Sequence, residues 1–285
     1  MYQEFYGLKS RPFDLTPNPR YLLLTAKHRE ALSTLQYAIS SHKGVTLLVG
    51  EAGTGKTTLI HAALETRSDS LSVFLSNPAL TRSEFFEFLV DGFSLPAEAA
   101  SSKTRCLSAL TRVLTERQAA GSMAALIIDE AQCLPDELLE EVRLLANIET
   151  PEEKLLSIIL VGQPELAERL NQPSQRQIKQ RVGLRSTLCP LDEAETEAYI
   201  ATRIQVAGGA VENVFTPDAI AAVYQNAAGI PRTISVICDN ALVTGFALDW
   251  RPVDRDVILE VCRDLDLVRN DTVAPLISTP RSGAA

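Results

Sequence analysis

What this chain of 285 residues lacks narrows its class first. Its five cysteines, Cys106, Cys133, Cys189, Cys238 and Cys262, contain no CxxC pair, and its three histidines form no cluster of metal-like spacing. The cysteines therefore read as reduced, mostly buried small residues. No apolar run approaches the roughly 20 residues that span a bilayer, and one of the longest, residues 155–161, is interrupted by Ser157. Residues 1–20 lack a basic start followed by an apolar block, so no signal peptide is visible. A cytoplasmic location is the expectation, and peripheral association is the membrane role it leaves open. Positive charge is also short, and the net charge of -9 opposes a large electrostatic footprint for nucleic acid, although it leaves room for a local basic patch.

What is present points to a globular protein of one or two domains, with 46% apolar and 22% charged residues. The stretch that organises it is GEAGTGKTT, residues 50–58, behind the apolar run VTLLV at 45–49. It satisfies the P-loop pattern GxxxxGK[ST] at Gly50, Gly55, Lys56 and Thr57. Phosphate oxygens have to approach bare backbone amides, which glycine permits, and the helix that follows adds unpaired amides and its positive dipole end. The candidate nucleotide ligands are Gly50, Glu51, Ala52, Gly53, Thr54, Gly55, Lys56, Thr57 and Thr58, with ATP and Mg²⁺ as the cofactors. Lys56 is expected on the β and γ phosphates and Thr57 on the metal, a hard cation that takes few protein ligands.

A second motif agrees with the first. The apolar run ALII at 125–128 ends in Asp129 and Glu130, and two acids there make no packing sense unless a metal lies beside them. Asp129 is expected to orient Mg²⁺ and its waters, and Glu130 to polarise the attacking water. Asn77, before Pro78, either closes a turn or faces a ligand from the end of a strand at 72–76. Gln163, ending a strand at 155–161, is either a turn residue or a contact to the γ phosphate or the water.

Elsewhere the pattern is structural. Residues 1–19, rich in aromatics and proline, predict an extended arm packed through Phe5, Tyr6 and Phe13, followed by a helix at 26–40. His28 and Glu30 either lie on that helix's surface, or arm and helix start close together over the adenine. Phe85, Phe86, Phe88 and Leu89 read as core, and a polar helix at 103–118 carries Lys103, Arg105, Arg112 and Arg117. The helix after Pro135 shows Glu137, Glu140 and Glu141 on a face opposite Leu138, Val142 and Leu145. Arg176, Lys179, Arg181 and Arg185 precede or enter a last strand at 184–188, which completes five. From 191 only helices follow, at 193–207, 217–226, 231–248 and 253–264, and residues 268–285 lack periodicity and read as disordered. The expected organisation is an arm at 1–25 over the nucleotide site, an α/β P-loop core with a five-stranded parallel sheet at 26–190, a small all-helical lid at 191–267 and a tail.

Together these features resemble the AAA+ ATPases. The opening MYQEFYGLKSRPFDLTPNPRYLLLTAKHREAL, with LLVGEAGTGKTTL, IIDEAQ, IILVGQPEL and GIPRTISVICDNAL, is similar to the ExeA/GspA group of bacterial secretion-associated ATPases over residues 1–264. That resemblance implies roles for particular residues. Asn77 matches a switch asparagine restraining the catalytic glutamate, Gln163 a first sensor, and Arg232, in GIPR, a second sensor on the lid. Arg181 matches the finger arginine, with Arg185 as the alternative. Long relatives of the group continue into a membrane segment and a peptidoglycan-binding domain, and a chain without those parts is expected here. The resemblance further implies a homo-oligomer, ring or filament, working with secretion or export machinery. Related TniB- and MuB-like ATPases, which select transposition targets, make a DNA-associated role the alternative, and an ATP-dependent switch with partner-triggered turnover a third reading.

Overall fold

The computed structural model describes residues 1–16, 19–41, 43–65 and 70–267. In chain order the elements are α1 (Tyr2–Phe5), α2 (Ala26–Ser41), β1 (Val45–Gly50), α3 (Lys56–Glu65), β2 (Leu71–Leu75), α4 (Arg82–Gly92), α5 (Lys103–Ala119), β3 (Ala124–Ile128), α6 (Asp136–Leu145), β4 (Ser157–Gly162), α7 (Pro164–Leu170), α8 (Arg176–Lys179) and β5 (Val182–Leu188). Four more helices follow: α9 (Glu193–Val206), α10 (Pro217–Ala227), α11 (Pro231–Ala247) and α12 (Arg255–Asp264). The tail expected to be disordered lies outside the described residues.

The five strands form one parallel sheet in the order β2-β3-β4-β1-β5. Because successive strand side chains point to opposite faces, neighbouring residues feed different cores. Leu47 and Leu126 join the layer under α4, α5 and α6, while Leu48 and Ile127 join the layer under α2 and α3. Strands β1, β3 and β4 are buried along their whole length, as mainly apolar runs in a doubly covered sheet require. The strand expected at 72–76 proves to be an edge, only partly covered.

Three expectations change. The arm opens on a one-turn helix, α1, and its aromatics serve the helical region rather than the sheet: Tyr2, Tyr6, Leu8 and Phe13 share a buried cluster with α9, α10, α11 and α12. Tyr2 donates to Asp239 Oδ1 at 2.6 Å, Lys9 N to the Ala207 carbonyl at 2.7 Å, and Tyr6 Oη to the Trp250 carbonyl at 3.3 Å. Glu141 is not on a solvated face, because Arg82 of α4 and Lys103 of α5 converge on its buried carboxylate. Cys106, Cys238 and Cys262 are buried as expected, whereas Cys133 and Cys189 are exposed.

Candidate functional site

At the carboxyl end of β1 the chain turns into the P-loop. Thr54 closes it, its hydroxyl donating to the Glu51 carbonyl at 2.8 Å and its N–H to the same carbonyl at 3.3 Å. Gly53 and Gly55 take φ of +82° and +93°, left-handed values that alternate with ordinary ones and turn successive N–H groups toward one concavity. Lys56, the first residue of α3, is buried and donates to the carbonyls of Gly50 at 2.7 Å and Glu51 at 3.0 Å. Burial pushes its pKa down, opposed by the carboxylates of Glu130 and Asp129.

Parallel pairing brings the end of β3 beside this loop. Thr57 Oγ1 donates to Asp129 Oδ2 at 2.8 Å, and the Glu130 N–H donates to Asp129 Oδ1 at 2.9 Å. Glu130 holds a left-handed backbone, φ 48° and ψ 38°, which breaks the strand and turns its side chain out of the sheet register. Gln163 caps α7 at the end of β4 and its Nε2 donates to Glu130 Oε2 at 3.3 Å. Gln132, which sequence reasoning passed over, donates to the same oxygen at 2.5 Å. Asn77 is exposed, and its Oδ1 accepts from the Ala79 N–H at 3.2 Å as a turn residue does. The side-chain amides on Glu130 come from Gln132 and Gln163.

The facing wall belongs to the arm and the lid helices. A cavity of about 270 Å³ lies between Ala52, Gly53, Gly55, Lys56, Thr57, Thr58 and Glu130 on one side and Tyr21, Leu191, Tyr199, Arg203 and Arg232 on the other. Arg232 sits in the first turn of α11, where its N–H donates to the Gly53 carbonyl at 3.2 Å. A Cβ on Gly53 would stand 2.7 Å from Arg232 Cβ, so the loop and the lid are in direct contact there. Arg203 lies with its guanidinium carbon 5.2 Å from the Tyr21 ring centroid and 4.9 Å from that of Tyr199, and donates to the Pro12 carbonyl at 2.7 Å. The helical spacing of Tyr199 and Arg203 was the one sequence signal for this pair. His28 is buried, not on the surface of its helix: Nδ1 is 2.9 Å from Thr25 Oγ1 and Nε2 is 3.4 Å from the Thr54 carbonyl. Glu30 is exposed.

Two predicted residues stand away from this cavity. The carbonyl of Arg181 accepts from Val45 N at the opposite end of β1 from the P-loop. Five strand steps separate them, about 17 Å at the usual rise. Arg185 lies within β5, beside Leu47, rather than before the strand, and both arginines are exposed.

The residues present fit a magnesium nucleotide. A P-loop nest with a buried ammonium suits the phosphates, and Thr57 beside Asp129 offers one hydroxyl and one carboxylate. Among the described residues no group of three or more His, Cys, Asp or Glu could hold a metal ion.

Residues 39–170 match the family described as an AAA domain. The chain is 40% identical over 248 residues to the general secretion pathway protein A of Aeromonas hydrophila, covering 87% of this chain and 45% of that protein. It thus spans a little under half of that relative's length. It is also 28% identical over 203 residues to the Mu-like prophage FluMu DNA transposition protein B of Haemophilus influenzae, covering 69% of this chain and 65% of the other. Among solved structures, Cdc6p from Pyrobaculum aerophilum superposes with a TM-score of 0.68 at 16% identity, over 89% of this chain and 70% of that one, a likeness of fold. No described helix is long and apolar enough to cross a membrane. Strand order, P-loop, paired acids and helical lid agree with these likenesses: the chain has an AAA+ fold, with the matched AAA domain in its P-loop core, and it resembles the secretion-associated protein A.

Proposed function

We propose that this protein hydrolyses ATP with Mg²⁺ as an oligomer, and that turnover powers or regulates a bacterial secretion, export or envelope-assembly system. Hydrolysis rests on one observation, the 2.8 Å contact of Thr57 with Asp129 beside the carboxylate of Glu130. Lys56 leaves the carbonyls of Gly50 and Glu51 to meet the β and γ phosphates, and the P-loop from Gly50 to Thr58 donates its N–H groups. Thr57 and Asp129 hold the metal, which when bound neutralises charge on the phosphates. Glu130 takes the proton of the attacking water, while Gln163 is the first sensor toward the γ phosphate or the water and Asn77 the switch residue that restrains Glu130. Arg232, already against the P-loop, reports the terminal phosphate to the lid. Leu22, Leu23 and Leu191 line the same cavity and give the adenine an apolar wall.

Arg181 cannot reach its own nucleotide from the far end of β1, which supports a site completed by a neighbour, with Arg185 as the alternative finger. An arginine supplied in trans is worth roughly 10³ to 10⁵ in rate. The secretion or export role is supported by the likeness to the Aeromonas protein. A DNA-associated role is the second reading, favoured by the likeness to the transposition protein B and opposed by the net charge of -9. Mixing provides the test. Arg181→Ala subunits keep an intact site, Glu130→Gln subunits keep an intact finger, and the mixture should recover turnover that neither shows alone, with activity per subunit rising with protein concentration. A monomer whose specific activity stays flat on dilution removes the trans finger, and steep salt-sensitive DNA binding moves the role to the second reading.

A further inference from the structure

Three contacts meet at a residue that no role above uses. Gln132 follows Glu130 by two residues, and its amide is clamped at both ends: Oε1 accepts from the Gln163 backbone N–H at 3.1 Å, while Nε2 donates to Glu130 Oε2 at 2.5 Å. The assignment of oxygen and nitrogen is not free, because a backbone N–H can only donate. The oxygen end is therefore fixed on Gln163, and the donor end is committed to the carboxylate. Its own carbonyl is held too, by Arg169 at 3.1 Å. Room for the clamp comes from Gly162, where a Cβ would stand 2.6 Å from Gln132 Oε1. This gives the glycine that ends β4 a second reason to be glycine, besides Leu166, whose Cδ2 would lie 2.8 Å from the same Cβ.

We infer that Gln132 is a positioning residue for hydrolysis: it fixes the carboxylate of Glu130 and ties it to the backbone of Gln163, so that the end of β4 and the catalytic acid move as one. The inference rests on the reading of Glu130 as the base. Both amide donors, from Gln132 and Gln163, converge on Oε2, so Oε1 is the oxygen that carries neither bond. Losing the clamp frees the side-chain torsions of Glu130 and spreads its carboxylate over several rotamers. Ground-state binding does not depend on that carboxylate, so the effect falls on the chemical step.

The test uses the full chain and four variants in purified form. Gln132→Met keeps the length of the side chain and removes both ends of the clamp, and Gln132→Ala repeats the loss with less bulk. Each should lower kcat about tenfold or more, a fraction of the 10² to 10⁴ that a general base supplies, while affinity for a non-hydrolysable ATP analogue and the thermal midpoint stay near the parent values. The double variant Glu130→Gln with Gln132→Met should hydrolyse no more slowly than Glu130→Gln alone, because a positioning residue has no effect once its target is gone. Parent kcat in both Gln132 variants overturns the inference and leaves Glu130 standing, as does a loss that persists undiminished in the Glu130→Gln background. A Glu130→Gln protein that hydrolyses at the parent rate removes the reading beneath it instead.

Discussion

The two walls of the nucleotide cavity are built in opposite ways. The sheet wall comes from three short stretches, residues 50–58, 129–132 and 163, each at the carboxyl end of a fully buried strand and held in place by the parallel ladder. The lid wall is gathered from Tyr21, Tyr199, Arg203 and Arg232, and its joints are side chains that reach across most of the chain. Arg203 to Pro12 and Tyr2 to Asp239 close loops of 191 and 237 residues. A wall fixed by strand ends can keep a reacting geometry constant, whereas a wall fixed by side-chain contacts can open without disturbing the sheet. Chemistry belongs to the first and access to the second. The arm belongs with the lid, since its aromatics share the lid's buried cluster, so whatever moves the lid moves the arm.

The sharpest way to break that division is to damage the sheet wall in two places and compare what is lost. Lys56→Ala removes the buried ammonium that meets phosphate, at about 1.5–3 kcal/mol for each charged hydrogen bond, so ATP binding should fall by two orders of magnitude or more. Glu130→Gln keeps the phosphate contacts and the hydrogen-bonding shape but cannot take a proton, so binding should persist while turnover drops by about 10² to 10⁴. Fluorescent-nucleotide titration beside single-turnover hydrolysis separates the two. Equal loss of affinity in both variants contradicts the assignment of binding to Lys56 and of proton transfer to Glu130.

A smaller effect probes the lid wall. Arg203→Ala removes two cation–π contacts and the bond to the Pro12 carbonyl, together about 2–4 kcal/mol of arm attachment. None of these contacts involves the P-loop, so the single-turnover rate of bound ATP should hold. Nucleotide affinity should fall about tenfold, and trypsin should cut the arm after Lys9 or Arg20 faster than in the parent. If the chemical rate collapses as well, the walls are not separable. An arm no easier to cut than in the parent leaves Arg203 a local packing residue.

The same asymmetry explains what could be read beforehand. GEAGTGKTT and the DE that ends β3 were legible because a phosphate nest and a metal site need fixed residue types at fixed offsets within one stretch. The mainly apolar runs of β1, β3 and β4 gave the sheet for a similar reason, since a strand that does not alternate with polar residues has to be covered on both faces. Gln132 was missed because its work is defined by Gln163, thirty-one residues away, and not by spacing to its neighbours. Arg203 was missed because Tyr21 and Pro12, which it contacts besides Tyr199, lie in the arm. The arm itself was placed over the nucleotide but not on the lid, because Phe5, Tyr6 and Phe13 announce burial without naming the surface that buries them. Glu141 looked like one more acid on a polar face until α4 and α5 brought Arg82 and Lys103 to it.

The least of the expected effects lies at the seam where helix α2 meets the P-loop. His28 links Thr25 to the carbonyl of Thr54 from a buried position, and burial holds its imidazole below the usual histidine value of 6.5. The folded state therefore prefers the neutral ring. Stability from this link is fully present above the unfolded pKa and is lost as pH falls through the lower, folded value, because the buried ring must then carry a charge. With neutral hydrogen bonds worth about 0.5–1.5 kcal/mol each, the loss should lower the thermal midpoint by a few degrees between about pH 7.5 and 5. Nucleotide is left out of the measurement, since its own phosphates titrate in that range. Carboxylates elsewhere add a slope of their own, so the informative quantity is the difference between the parent and His28→Gln, which keeps a hydrogen-bonding end without a titrating one. The variant should start lower at neutral pH and lose less on acidification. Parallel pH profiles for the two proteins would mean that His28 is only filling space beneath the loop.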